Sequence, residues 1–197
     1  MNTFALPWTV ASTRPVVSDR PTDERDLILA AQRGDEPAFG ELVRRHQRRA
    51  YIVARAIVLN HEDAEDAVQE GFLHAYRALE RFRPDQAFGA WLHRIVANAA
   101  LDITRRRKVR DADELPETVA SHFRDPAETA ELRRRLAAAL AELPARQRAV
   151  ITLHDVEGFR HAEIGQMLGI PEGTARSDLH YARSHLRQLL GALRSDV

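Results

Sequence analysis

The chain has 197 residues, 44% hydrophobic and 29% charged, with 29 basic and 29 acidic side chains and a formal net charge of zero. That length allows one large or two small domains with modest cores. Neutrality removes any bulk attraction to nucleic acid or membrane, so such affinity must come from local patterning. A sequence without cysteine excludes disulfide frameworks, thiol catalysis and cysteine-bearing zinc sites.

Residues 1–24 carry Pro7, Pro15 and Pro21, no basic start and no long apolar run. They predict a disordered tail and not a signal peptide. No segment approaches the roughly 18 apolar residues of a transmembrane helix, so a cytoplasmic chain without membrane insertion is expected. Helical spacing begins near Asp26. Leu27, Ile28, Ala31, Phe39, Leu42 and Val43, then Tyr51, Ile52, Ala54, Ile57 and Val58, predict two or three helices broken at Gly34. A further helix opens at Asn60, with Glu62 and Asp63 in its first turn where carboxylates suit the helix dipole. Residues 82–86 are a turn. The stripe Phe88, Trp91, Leu92, Ile95, Val96, Ala99 and Ile103 then predicts a helix ending in the basic run 105–108.

Residues 25–108 therefore form a first domain, and 109–128, with prolines and acids but no apolar stripe, a flexible linker. Leu132, Leu136, Leu140 and Leu143, then Val150, Ile151 and Leu153, then Ile164 and Leu168, then Ala175, Leu179, Ala182, Leu186 and Leu189 predict four helices over 129–194. The expectation is an all-α chain of two small helical domains.

Between His161 and His180 the spacing is that of a helix-turn-helix. Ile164 and Leu168 share one face, Gly169 suits a left-handed turn, and Pro171 suits the start of the next helix because it lacks an amide proton. With Ala175, Leu179 and Ala182 inward, about 100° per residue turns Gly173, Arg176, Ser177, His180 and Tyr181 outward, with Arg183 at the flank. Such a face could meet base edges and phosphates. A plain helical hairpin with a solvated outer face would show the same spacing.

The segments LPARQRAVI (143–151), DVEGF (155–159) and GIPEGTARSDLHYAR (169–183) resemble region 4, the minus-35-reading domain, of extracytoplasmic-function (ECF) sigma factors of the sigma-70 family. DAEDAVQEGFLHAY (63–76) and FGAWLHRIVANAALD (88–102) resemble region 2 of the same family. The matches occur in the family's order, and only a linker separates them, as in the ECF group.

The resemblance implies a transcription initiation factor. It would bind core RNA polymerase through the β′ clamp helices and the β flap, read promoter DNA and be held by an anti-sigma factor, with no catalytic residue, metal or cofactor. Core-polymerase binding would fall to Glu62, Asp63, Glu65, Asp66, Gln69, Glu70 and Leu73, whose acids suit an arginine-rich partner. Minus-10 DNA binding would fall to Arg83, Gln86, Arg94, Asn98, Arg105, Arg106 and Arg107. Minus-35 binding would fall to Gly173, Thr174, Arg176, Ser177, His180, Tyr181 and Arg183. Trp91 could stack on a flipped base, although core packing accounts for it better. Three departures bear on specificity. Gln86 and Ala87 replace the small hydroxyl residues of the base-capturing loop, and Asp178 and Tyr181 stand where the family has cations. An acid near the groove implies an altered minus-35 preference.

Two rivals remain at this point. A dimeric helix-turn-helix transcriptional regulator needs only the second domain and leaves 26–108 unexplained. A metal-dependent enzyme could use His61, Glu62, Asp63, Asp66 and His74, or His154, Asp155, His161 and Glu163, but neither set has a recognised ligand spacing.

Overall fold

A computed structural model describes residues 23–110 and 127–192. Within them every regular element is helical. The first unit holds α1 (Glu24–Gln32), α2 (Glu36–Val58), α3 (His61–Ala78) and α4 (Phe88–Arg110). The second holds α5 (Ala127–Ala141), α6 (Ala145–Ile151), α7 (His161–Leu168) and α8 (Glu172–Ala192). The expected tail and most of the expected linker lie outside the described residues. Helix nevertheless enters both ends of the 109–128 stretch, because no proline or glycine follows Lys108 until Pro116 and Pro126 directly precedes α5.

Side-chain caps set the starts of the first unit. Asp35 accepts from the Ala38 amide at 3.0 Å and Asn60 from the Glu62 amide at 2.8 Å, each supplying an acceptor for donors the helix leaves unpaired. Gln32 donates to the carbonyls of Leu79 and Phe82 at 2.9 and 2.7 Å, tying the end of α1 to the short 3₁₀ turn after α3. α2, α3 and α4 pack pairwise around Leu42, Val53, Ile57, Phe88, Leu92 and Val96, all fully buried. The α3–α4 approach is close because Gly71 has no side chain: a β-carbon there would lie 2.6 Å from Val96 Cγ2.

In the second unit α8 packs on α5, α6 and α7. α6 runs into a π-helical turn over 152–156. α7 ends at Gly169 with φ of 66°, the left-handed geometry the sequence assigned to it.

The two units are in contact. α2 lies on α6 and the π-turn, and α4 lies on α6 and α7. Each unit also completes a helix end of the other. Arg148 of α6 donates through Nε to the carbonyl of Ile57, in the last turn of α2, at 2.8 Å. Asn98 of α4 donates through Nδ2 to the carbonyl of Met167, in the last turn of α7, at 3.0 Å. Both acceptors belong to the carbonyls a helix cannot satisfy internally.

Candidate polymerase- and DNA-binding surfaces

The acidic face of α3 and the basic end of α4 border one open groove of about 970 Å³. Asp63, Asp66, Gln69, Glu70 and Leu73 stand on one side and Arg105 and Arg106 on the other. Leu73 is 49% exposed, an apolar point among the acids. Glu62 and Glu65 lie on the same helix and are exposed. The two rows pair across the gap, Arg107 with Asp63 at 2.7 Å and Arg106 with Glu70 at 3.1 Å, while Arg105 turns back to Asp102 at 2.7 Å. The Arg106–Glu70 and Arg105–Asp102 pairs are exposed, and such pairs hold weakly, about 0–1 kcal/mol each, so a partner with stronger complementarity can displace them.

Farther along α4 a smaller groove of about 380 Å³ is lined by Trp91, Arg94, Asn98 and Asp102 with Glu70 and His74 of α3. Arg94 is exposed. Asn98 is half-buried, its amide engaged by Met167. Trp91 packs its ring on Phe82 at 4.6 Å and Phe88 at 5.5 Å, so it sits at the edge of the core while reaching the groove. In the preceding loop Arg83 grips Asp85 through two bonds of 3.3 and 2.9 Å, and Gln86 is exposed.

On α8, Gly173, Arg176, Ser177, His180, Tyr181 and Arg183 are exposed and Thr174 is half-buried. Arg176 is steadied by Glu172 one turn back at 2.7 Å, and the Ser177 hydroxyl donates to the Gly173 carbonyl at 2.9 Å. Arg183 leans away from this face to Asp155 in the π-turn, with Nε at 3.0 Å, and its guanidinium holds the Asp155 carboxyl below the usual range. Asp178, expected near the groove, is instead buried, at 5% exposure, and accepts from Nε and Nη2 of Arg146 at 2.6 and 3.2 Å. Its partner lies 32 residues away on α6, which no helical spacing could reveal.

Sequence reasoning also passed over His93. It is 3% exposed, neither ring nitrogen has a hydrogen-bond partner among the described residues, and Phe159 and the Glu157 carboxylate, 3.5 Å away, face it from the second unit. Burial draws its pKa down to about 4, with His46 and Arg49 adding repulsion. Burial likewise lowers Arg148 to about 10 and raises Glu157. Among the described residues no group of His, Asp and Glu is arranged to hold a metal, and no helix is long and apolar enough to cross a membrane.

Comparison with known proteins fits this geometry. The Sigma-70 region 2 family matches residues 42–110 and the Sigma-70 region 4 family residues 133–186. The first of these accounts for the domain that a lone helix-turn-helix regulator leaves unexplained. The two family matches place the chain among the sigma-70-type transcription initiation factors, which are not enzymes. More narrowly, the chain belongs to the ECF RNA polymerase sigma factors. It is 39% identical over 176 residues to the ECF RNA polymerase sigma factor SigM of Mycobacterium tuberculosis, covering 88% of each chain. It is 37% identical over 189 residues to SigE of Mycolicibacterium smegmatis, covering 91% of this chain and 72% of that one. Among solved structures it is similar to CnrH in complex with the cytosolic domain of CnrY, with a TM-score of 0.64, 33% identity, and coverage of 86% of this chain and 97% of that one. It is also similar to the sigma factor RpoE in complex with the anti-sigma factor NepR from Bartonella quintana, with a TM-score of 0.66, 26% identity, and coverage of 78% and 96%.

Proposed function

We propose that this sigma factor docks on core RNA polymerase through α3, reads the minus-10 element with α4 and the loop before it, and reads the minus-35 element with α8. On this reading residues 25–108 are the polymerase-binding and minus-10 domain, 129–194 the minus-35 domain, and the chain works in the cytoplasm. The observation that carries it is the shared α3–α4 groove, where a row of carboxylates around Leu73 faces arginines. An arginine-rich polymerase helix would take over Asp63 and Glu70, releasing Arg106 and Arg107 toward phosphate. Asn98 becomes available to DNA only when α4 parts from α7.

An anti-sigma factor is the expected regulator. Both solved relatives are complexes, one with the cytosolic domain of CnrY and the other with the anti-sigma factor NepR. An inhibitor that holds the two units together would keep Asn98 on Met167. Run-off transcription with core polymerase, with and without the chain, on a promoter library tests the proposal. Chain-dependent transcripts sharing minus-35 and minus-10 elements are expected, and their absence would overturn it.

A further inference from the structure

We infer that Arg146, in the first turn of α6, contacts a promoter backbone phosphate beside the minus-35 element, and that Asp178 is the positioning residue that holds it there. The inference rests on α8 being the minus-35 reader.

The argument begins with the cost of burying a carboxylate. The Asp178 side chain is 7% exposed, and a carboxylate removed from water needs donors on its oxygens. Arg146 supplies two, through Nε and Nη2. The fork geometry fixes the guanidinium plane, which a single-point ammonium could not do. Nη1 makes no hydrogen bond among the described residues. The Arg146 side chain remains 53% exposed, so the pair is lopsided, with its anion sunk in the protein and its cation at the surface.

That cation lies along the reading face. Asp178 follows exposed Ser177 and precedes exposed His180 and Tyr181 on α8. Pro144, the residue before α6, and Gln147 of α6 line one groove with Glu142 and with Tyr181 and His185 of α8. The first turn of α6 therefore borders the edge of α8 that carries Tyr181. Arg176 and Arg183 differ, since each pairs with an acid that is itself substantially exposed, Glu172 at 50% and Asp155 at 33%. An approaching phosphate meets both charges of those pairs but only the cation of the Arg146–Asp178 pair. Because the guanidinium is already fixed, little side-chain freedom is lost on contact. The alternative is a purely structural clasp between α6 and α8.

The two are separated by the salt dependence of promoter binding by the full chain with core polymerase. One lost phosphate contact reduces the magnitude of the slope of log K against log salt by about 0.9. Arg146→Gln is expected to lower that slope by about this amount and to weaken binding several-fold, equally across minus-35 sequences. Arg146→Lys should retain the slope. On DNA that begins downstream of the minus-35 element and so lacks it, wild type and Arg146→Gln should bind alike. If Arg146→Gln fails to fold, the double variant Arg146→Gln, Asp178→Asn keeps a neutral hydrogen-bonded pair in the same volume and should show the same reduced slope. An unchanged slope in whichever of these variants folds would overturn the inference and leave only the clasp. If the wild-type chain gave polymerase no promoter binding at all, the proposed function would fail instead.

Discussion

The surfaces proposed to read DNA are in opposite conditions in the two units. On α8 the proposed reading residues are exposed except half-buried Thr174, Glu172 steadies Arg176 within the helix, and Arg183 alone is drawn off to Asp155 of the π-turn. On α4 they are occupied: Arg106 and Arg107 pair with the acids of α3, and Asn98 is bonded to α7. Region 4 is thus presented ready-made, whereas region 2 needs competitors for its contacts. On the proposed reading, such an order would tie minus-10 recognition to prior docking.

The contacts joining the units sharpen that comparison, since they are unequal. Arg148, 7% exposed, holds the carbonyls of Ile57 and Leu143 in a dry setting. Replacing it with methionine, which keeps most of its volume, should cost about 3 kcal/mol by urea denaturation, because it leaves buried carbonyls unpaired. A loss below about 1 kcal/mol would mean that water reaches them.

His93 should give a smaller effect that depends on pH. Its pKa of about 4 in the folded chain lies below the ordinary 6.5, so the unfolded chain takes up the extra proton. Stability is then complete above about pH 6.5 and declines as the pH falls toward about 4. Glu157, whose carboxyl is raised by burial, works in the opposite sense, because protonating it relieves its own desolvation. Glu157→Gln should therefore steepen the acid loss seen in thermal unfolding, and His93→Gln should flatten it.

Asn98 offers the smallest effect and the clearest contrast. Losing its single bond to Met167 should cost about 1 kcal/mol, which is about a fivefold rise in open molecules. Energy transfer between dyes on α2 and α8 would measure that opening. Asn98→Ala should favour opening yet weaken minus-10 use in transcription. Stronger initiation would show that Asn98 serves closure alone.

Much of this molecule was legible from local pattern. Asn60, Gly169 and Pro171 mark helix boundaries because caps and turns depend on residues a few positions apart, and the apolar stripes gave most of the inner faces, although Ile52 and Leu136 within them are 41% and 42% exposed. Arg148 with Ile57, Asp178 with Arg146 and His93 with Glu157 were not legible. Each pair joins residues far apart in the chain, and a lone Arg, Asp or His on a helix looks the same in sequence whether it meets water or another domain. The acids of α3 and the arginines of α4 were each visible, but their pairing needed the packing of the two helices.

That packing turns on Gly71. The distance between a row of carboxylates and a row of guanidinium groups is gauged by a residue that carries no charge and no side chain. Hydrogen in place of a methyl group lets the α3 backbone settle against Val96, and so brings Asp63 and Glu70 within reach of Arg107 and Arg106. The spacing of this charged surface is thus a property of the apolar seam beneath it.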